Sequence, residues 1–211
     1  IEQRALRLQM NPHFIFNSLN AIQSFVIAND TDKAIHYLAK FSQLMRLILS
    51  NSRESYIPIK DEMKSLIYFM DIERLRFDNK FDYKIRKDPK IDEDFMAIPP
   101  MIIQPYVENA ILHGLIHQSE KGIINIDISM KKDTIHCIIE DNGIGREAAM
   151  KIREASGIKR KSKGMLITKE RIDLLNKQYK DKYSVKIIDL KGKKGKALGT
   201  RVELTMVYFD I

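Results

Sequence analysis

The hydrophobic period of this chain changes once, near Tyr56, and the change confines it to a helical segment followed by a mixed one. Before that point apolar residues recur at threes, fours and sevens, with Leu8, Ile15, Leu19, Ile22 and Val26 in residues 1–28, and Leu38, Phe41, Met45 and Ile48 in a second run ending near Ser50. That spacing marks helix faces. Ala28-Asn29-Asp30-Thr31 interrupts the pattern, and Asp30 or Thr31 can cap the second helix. Two antiparallel helices cannot bury seams this narrow by themselves. The expected solution is a four-helix bundle made with a second copy, the other being a hairpin packed on its own downstream domain.

From Tyr56 onward helices and strands mix. Tyr56–Ile59 reads as a short edge strand because of Pro58, 61–77 as a helix, and Phe81–Arg86 as a strand. Pro99-Pro100 is expected to open a helix running to His117. Ile123–Ser129 and Thr134–Glu140 form a hairpin turning at Lys131-Lys132-Asp133. Residues 145–163 are polar, lack apolar periodicity over most of their length and read as mobile. A helix over 165–179 and strands at 184–190 and 200–207 complete an α+β pattern, with a mainly antiparallel sheet covered by helices on one face. The expected division is a hairpin at 1–54 and a second domain at 55–211.

With 44% hydrophobic and 30% charged residues, the 211-residue chain reads as globular and soluble. A single cysteine, Cys137, gives neither a disulfide framework nor a metal cluster and points to a reducing compartment. The net charge of +8 is dispersed or gathered in two runs, Lys159–Lys163 and Lys191–Lys196. Such runs are ordinarily solvated loops, so nucleic acid is not expected as a partner. Ile1 stands inside a helical pattern without an initiating Met, so the chain reads as a piece of a longer protein, itself a cytoplasmic domain by its cysteine usage, whose upstream part could include a sensor or membrane anchor.

The chemistry-bearing residues fall in two places. Asn109 and His113, four apart, share a helix face. The amide oxygen of Asn109 suits Mg²⁺, which takes few protein oxygens beside phosphate and water, and His113 can donate to phosphate. Glu108 points about 100° away and can hold a proton. Downstream, Asp141 is an acceptor for an exocyclic amine such as adenine's. Gly143 and Gly145 allow a turn and a moving loop, Gly164 can present amides to phosphate, and Thr200 adds a hydroxyl near Asp141. Each taken alone is as readily an ordinary turn or a solvated helix residue. His113 and His117 have a zinc-helix spacing, but Gly114 replaces the glutamate and no third ligand is evident. The other place is His13, in a segment where Pro12 interrupts the helical pattern at a cost of about 3 kcal/mol. Its imidazole is a candidate phosphoacceptor. Asn17, one turn on, can orient water or a phosphoryl oxygen.

Taken together, PHFIFNSLN around His13, the YFMDIERLRF helix, IPPMIIQPYVENAILHG, DNGIG and the terminal GT resemble the sensor histidine kinases of the LytS/YehU type over nearly the whole chain. The resemblance implies a histidine-phosphotransfer hairpin followed by a Bergerat-type (GHKL) ATP-binding domain. It makes His13 the phosphorylated residue, Asn109 the Mg²⁺ ligand, and Glu108 and His113 part of the phosphate region. Asp141 would take the adenine amine, Gly143 and Gly145 would hinge an ATP lid, Gly164 would belong to a second glycine box and Thr200 to the adenine end. ATP and Mg²⁺ are the implied cofactors; a homodimer and a response-regulator receiver domain are the implied partners. Two positions depart from the family pattern. Ile167 stands where an amide is common, with Lys169 and Arg171 nearby to supply charge to the triphosphate, and Phe14 follows the histidine where other kinases carry an acid. The rival readings are an ATPase or a nucleotide-gated pseudokinase scaffold on the same fold, and a basic adaptor for nucleic acid or membrane.

Overall fold

The structure, a computed structural model, describes residues 12–155, 163–179 and 182–211. Helices α1 (Pro12–Ile27) and α2 (Thr31–Asn51) form the expected hairpin; the part of the first run that holds Leu8 lies outside the described residues. Asn29 takes a left-handed backbone, φ 59°, at the turn, as Asn tolerates better than most residues. Asp30 then caps α2 by accepting the Lys33 N–H at 3.2 Å. The inward face of α2 carries Ala34, Tyr37, Leu44 and Ile48.

That face packs on helix α3 (Ile59–Arg76), which buries Ile59, Met63, Leu66, Phe69, Met70 and Ile72 and so serves both the hairpin and the sheet. Acidic residues in its first turn and Arg74 and Arg76 in its last complement the helix dipole. Lys40 of α2 reaches Asp71 of α3 at 2.6 Å, and Asp71 also accepts the Tyr83 hydroxyl at 2.7 Å. The rings of Phe14 and Phe69 lie 5.4 Å apart. One side of the hairpin is therefore buried by its own chain. The other side leaves Phe16, Leu19, Val26, Ile35, Leu38 and Leu49 exposed.

Strand β1 (Ile57–Pro58) is at the edge of a small sheet with β3 (Met96–Ile98) and β8 (Phe209–Asp210), where the missing proline N–H is harmless. The main sheet runs β2-β4-β5-β7-β6, made of β2 (Phe81–Lys87), β4 (Gly122–Lys131), β5 (Thr134–Asp141), β6 (Ser184–Lys191) and β7 (Ala197–Val207). β2 runs parallel to β4, and every other pair is antiparallel. Ile124, Ile126 and Ile128, with Ile135, Cys137, Ile139, Val202, Leu204 and Met206, alternate inward onto the helices. Their neighbours on the outer face are only partly covered.

Three expectations need correction. The helix expected at Pro99-Pro100 begins later, as α4 (Gln104–Asn109), and continues as a wider π turn, Ala110–Leu115. The intervening residues are held in another conformation, with Met101 at φ 55° and its amide bonded to Glu62. The stretch read as mobile opens with helix α5 (Gly145–Ala155), and its residues 156–162, which include most of the Lys159–Lys163 run, lie outside the described residues. The strands β3 and β8 were not anticipated, and helix α6 (Lys163–Tyr179) starts two residues early.

Candidate functional site

Between the sheet and its helices lies a cavity of about 750 Å³, within the ~300–1,000 Å³ range of small-molecule sites. Ile139, Val185, Ile187 and Val202 form an apolar floor, with Asp141 and Thr200 at one end. One wall is the α4–π segment, with Tyr106, Asn109, His113 and Gly114. The opposite wall is α6, with Lys169, Ile172, Asp173 and Asn176, and α5 adds Arg146, Met150 and Arg153.

Asp141 is buried at the sheet end, and its carboxylate accepts the Gly143 N–H at 2.8 Å. Burial pushes its pKa up to about 6, with Glu140 adding to the rise and the Gly143 and Thr200 amides opposing it. Glycine is required around it. A Cβ on Gly143 would lie 2.6 Å from the Gly114 backbone, and one on Gly199, at φ 128°, would overlap the Asp141 carbonyl oxygen. Gly143 is thus a close-packing residue, while Gly145, φ 79°, is where the backbone turns into α5. Asn142 closes the hairpin mouth by accepting the Ile123 N–H at 2.7 Å.

On the other wall, the Asn109 Nδ2 donates to the Pro105 carbonyl at 2.6 Å. A carbonyl can only accept, so this bond fixes the amide orientation and leaves Oδ1 as the end for a ligand. Among the described residues no group of three or more His, Cys, Asp or Glu is placed to hold a metal. A lone amide oxygen fits an Mg²⁺ whose remaining ligands are phosphate and water. His113 stays below its ordinary pKa through desolvation, with Arg153 and His117 adding positive charge. Arg146 is tied to Asp189 by two bonds of 2.6 and 2.7 Å.

The remaining expected residues lie elsewhere. His13 is exposed on α1, its Nδ1 3.1 Å from Asn17 Nδ2, and none of the described residues of the hairpin lines the cavity. Phe14 sits between Phe41 and Phe69, so it is a packing residue where other kinases have an acid. Glu108 is outside the cavity lining and acts electrostatically on Glu73 of α3. Gly164 is in the first turn of α6. Arg171 does not point into the cavity. It is buried and donates to the Pro100 carbonyl, which corrects its assignment to the triphosphate.

The histidine kinase family model matches residues 1–81. The LytS sensor protein of Staphylococcus epidermidis is 35% identical over 144 residues, covering 68% of this chain and 24% of that protein. The YpdA sensor histidine kinase of Escherichia coli is 32% identical over 175 residues, covering 82% of this chain and 30% of that protein. The chain belongs to the LytS-type histidine kinase family. It spans about a quarter of the length of the LytS relatives it matches. The solved mycobacterial sensor histidine kinase MprB aligns with 74% of this chain and 98% of its own at a TM-score of 0.48 and 10% identity.

Within this histidine kinase core the sequence pattern marks residues with reactive or ligating groups and passes over two that close the fold around them. Gly114 and Asn142 had been given no part, yet one lies against Gly143 and the other closes β4 onto β5. Their signal is adjacency to HG and DNG motifs, which shows only when the two loops are placed together. Lys169, on α6 of this LytS-type core, is among the residues that line the cavity.

Proposed function

We propose that this chain is the ATP-dependent core of a two-component sensor kinase, which transfers the γ-phosphoryl group of ATP to His13 and then to an aspartate on a response-regulator receiver domain. The reading is supported chiefly by the convergence of Asn109, His113, Asp141 and Thr200 on one cavity, with an exposed histidine held by Asn17 on a separate hairpin. Asp141 would accept from the adenine amine. Asn109 Oδ1 would hold Mg²⁺, which neutralises phosphate charge when bound. Lys169, with His113 as a neutral donor, faces the same space, in keeping with phosphoryl transfer by positioning and electrostatics.

The reactive tautomer of His13 carries its proton on Nδ1. Asn17 would then turn its amide oxygen to that proton, and Nε2 would carry the lone pair that attacks. Nε2 forms the new P–N bond as the bond from phosphorus to the departing diphosphate breaks. Once the P–N bond has formed the ring gives up its Nδ1 proton, and Glu108, which lies outside the cavity lining, is the candidate base to take it.

Because His13 and the other described hairpin residues lie outside the cavity lining, transfer would require the cavity and a hairpin to meet by movement or across a dimer. The exposed side of the hairpin supports a second copy as partner. Phe16, Leu19 and Val26 on α1, and Ile35, Leu38 and Leu49 on α2, follow the three- and four-residue steps of a bundle seam. Among the described residues no helix is long and apolar enough to cross a membrane; an anchor, as in a sensor, would belong to another part of the protein.

The test is incubation with γ-labelled ATP and Mg²⁺. Acid-labile label on the parent chain, absent from His13→Ala and from Asn109→Ala, is the expected result. Label that persists in His13→Ala would end the assignment.

A further inference from the structure

Helix α4, which carries Asn109, begins without a side-chain cap of its own. Ile103, the residue before it, makes no capping bond, and the amides leading into it are buried. Buried amides at a helix start need an acceptor. Glu62 supplies it from the first turn of α3. Its Oε2 accepts the Met101 N–H at 2.7 Å, its Oε1 accepts the Ile103 N–H at 3.2 Å, and the Ile102 amide also acts on it. Met101 is in the left-handed region, which strains a non-glycine residue, so this bond holds a backbone that would otherwise relax.

Glu62 also feels the charge of the opposite wall. Arg171 of α6 is buried, donates to the Pro100 carbonyl in the same segment, and places its positive charge against Glu62. Lys169 and Ile172, beside Arg171 on α6, line the cavity. One buried carboxylate thus fixes the start of the Asn109 helix and, through Arg171, the helix bearing Lys169.

We propose that Glu62 is a positioning residue of the nucleotide site, which sets Asn109 in place by anchoring α4 and locks that wall to α6 through Arg171. The proposal rests on the nucleotide reading of the cavity. It predicts that Glu62 acts through the metal ligand rather than on stability alone, because the first consequence of a loosened α4 is a displaced Asn109 oxygen.

Glu62→Gln is the discriminating variant. It keeps the shape but turns an NH₂ group toward an amide that also donates. ATP binding by the whole chain is measured across a Mg²⁺ titration for the parent, Glu62→Gln, Asn109→Ala and the double variant, with thermal unfolding in parallel. The Mg²⁺ concentration for half-maximal binding should rise about tenfold or more in Glu62→Gln, the scale seen when outer-shell partners of metal ligands are removed. The double variant should respond to Mg²⁺ as Asn109→Ala alone does. A lower unfolding temperature with an unchanged Mg²⁺ midpoint would overturn the proposal while leaving the nucleotide site intact. Failure of the parent chain to bind ATP would overturn the site itself, and this proposal with it. Should Glu62→Gln not fold, Arg171→Lys, which keeps the charge but not the guanidinium, is read by the same two outcomes.

Discussion

Glu62 and Glu73 belong to the same helix, are buried alike at 2% and 1% exposure, and are both raised in pKa by that burial, yet their surroundings partner them differently. Glu62 meets backbone amides on both oxygens and the charge of Arg171. Glu73 has Arg76 at 2.6 Å on Oε2, while Oε1 lacks a hydrogen-bond partner and Glu108 adds like charge. Around it, the buried Ser18 Oγ of α1 and Tyr37 hydroxyl of α2 also lack a well-formed hydrogen bond. An ionised carboxylate is held firmly only where donors satisfy it. The start of α3 therefore grips the cavity wall, and its far end meets the hairpin through an under-satisfied joint.

The sharpest way to break this contrast is to remove each carboxylate. Glu62→Ala leaves the entry amides of α4 and the buried Arg171 without their anion, and should cost about 3–5 kcal/mol. Glu73→Ala removes a poorly satisfied charge and should cost clearly less in the same urea titration at pH 7. Equal losses would mean that burial, not partnering, sets the contribution of these groups.

Titration offers a second test. Burial raises Glu73 from 4.5 to about 7, against the pull of Arg76. A carboxylate raised on folding contributes stability that is present below its unfolded pKa and lost as pH rises through the folded value. Unfolding free energy should therefore fall by roughly 3 kcal/mol on this account between pH 4.5 and somewhat above 7, at 1.36 kcal/mol per unit. Asp141, raised from 3.8 to about 6, contributes a parallel loss at lower pH. Glu73→Gln should flatten the upper part of the profile and Asp141→Asn the lower part. A profile unchanged by Glu73→Gln would show that the joint is already open at its carboxylate.

Both glutamates lay in plain view in the sequence, and neither was singled out. A glutamate on a predicted helix reads as solvent-facing, because the donors that bury it come from distant segments, Met101 and Ile103 for Glu62. Long amphipathic elements were legible for the opposite reason: α2, α3, β4 and β5 bury one face and repeat that face along their length. The strands β3 and β8, of three and two residues, are too short to show a period. Helix α5 rests on helix-forming Glu, Ala, Met and Lys residues rather than on a buried stripe, with Met150 and Ile152 still largely exposed. At the cavity, Asn109, Asp141 and Lys169 stand out in the sequence because their side chains carry chemistry. Arg171 was misassigned because its charge answers a buried anion on α3 rather than the cavity.

The smallest expected effect sharpens the contrast most directly, because it touches only the joint. Lys40 is about one-fifth exposed, and its bond to Asp71 lies under the Tyr68 ring, 5.9 Å from the ammonium. Asp71 keeps the Tyr83 hydroxyl when Lys40 is lost, so no buried carboxylate is stranded. Lys40→Met, which retains most of the aliphatic stem, should cost about 0.5–1 kcal/mol. If the joint is the weaker of the two regions, amide exchange should quicken in α1 and α2 and stay unchanged in α4 and α6, where Glu62 and Arg171 hold. Faster exchange across α4 as well would mean that hairpin and cavity open as one unit, and the difference between the two glutamates would then have no mechanical consequence.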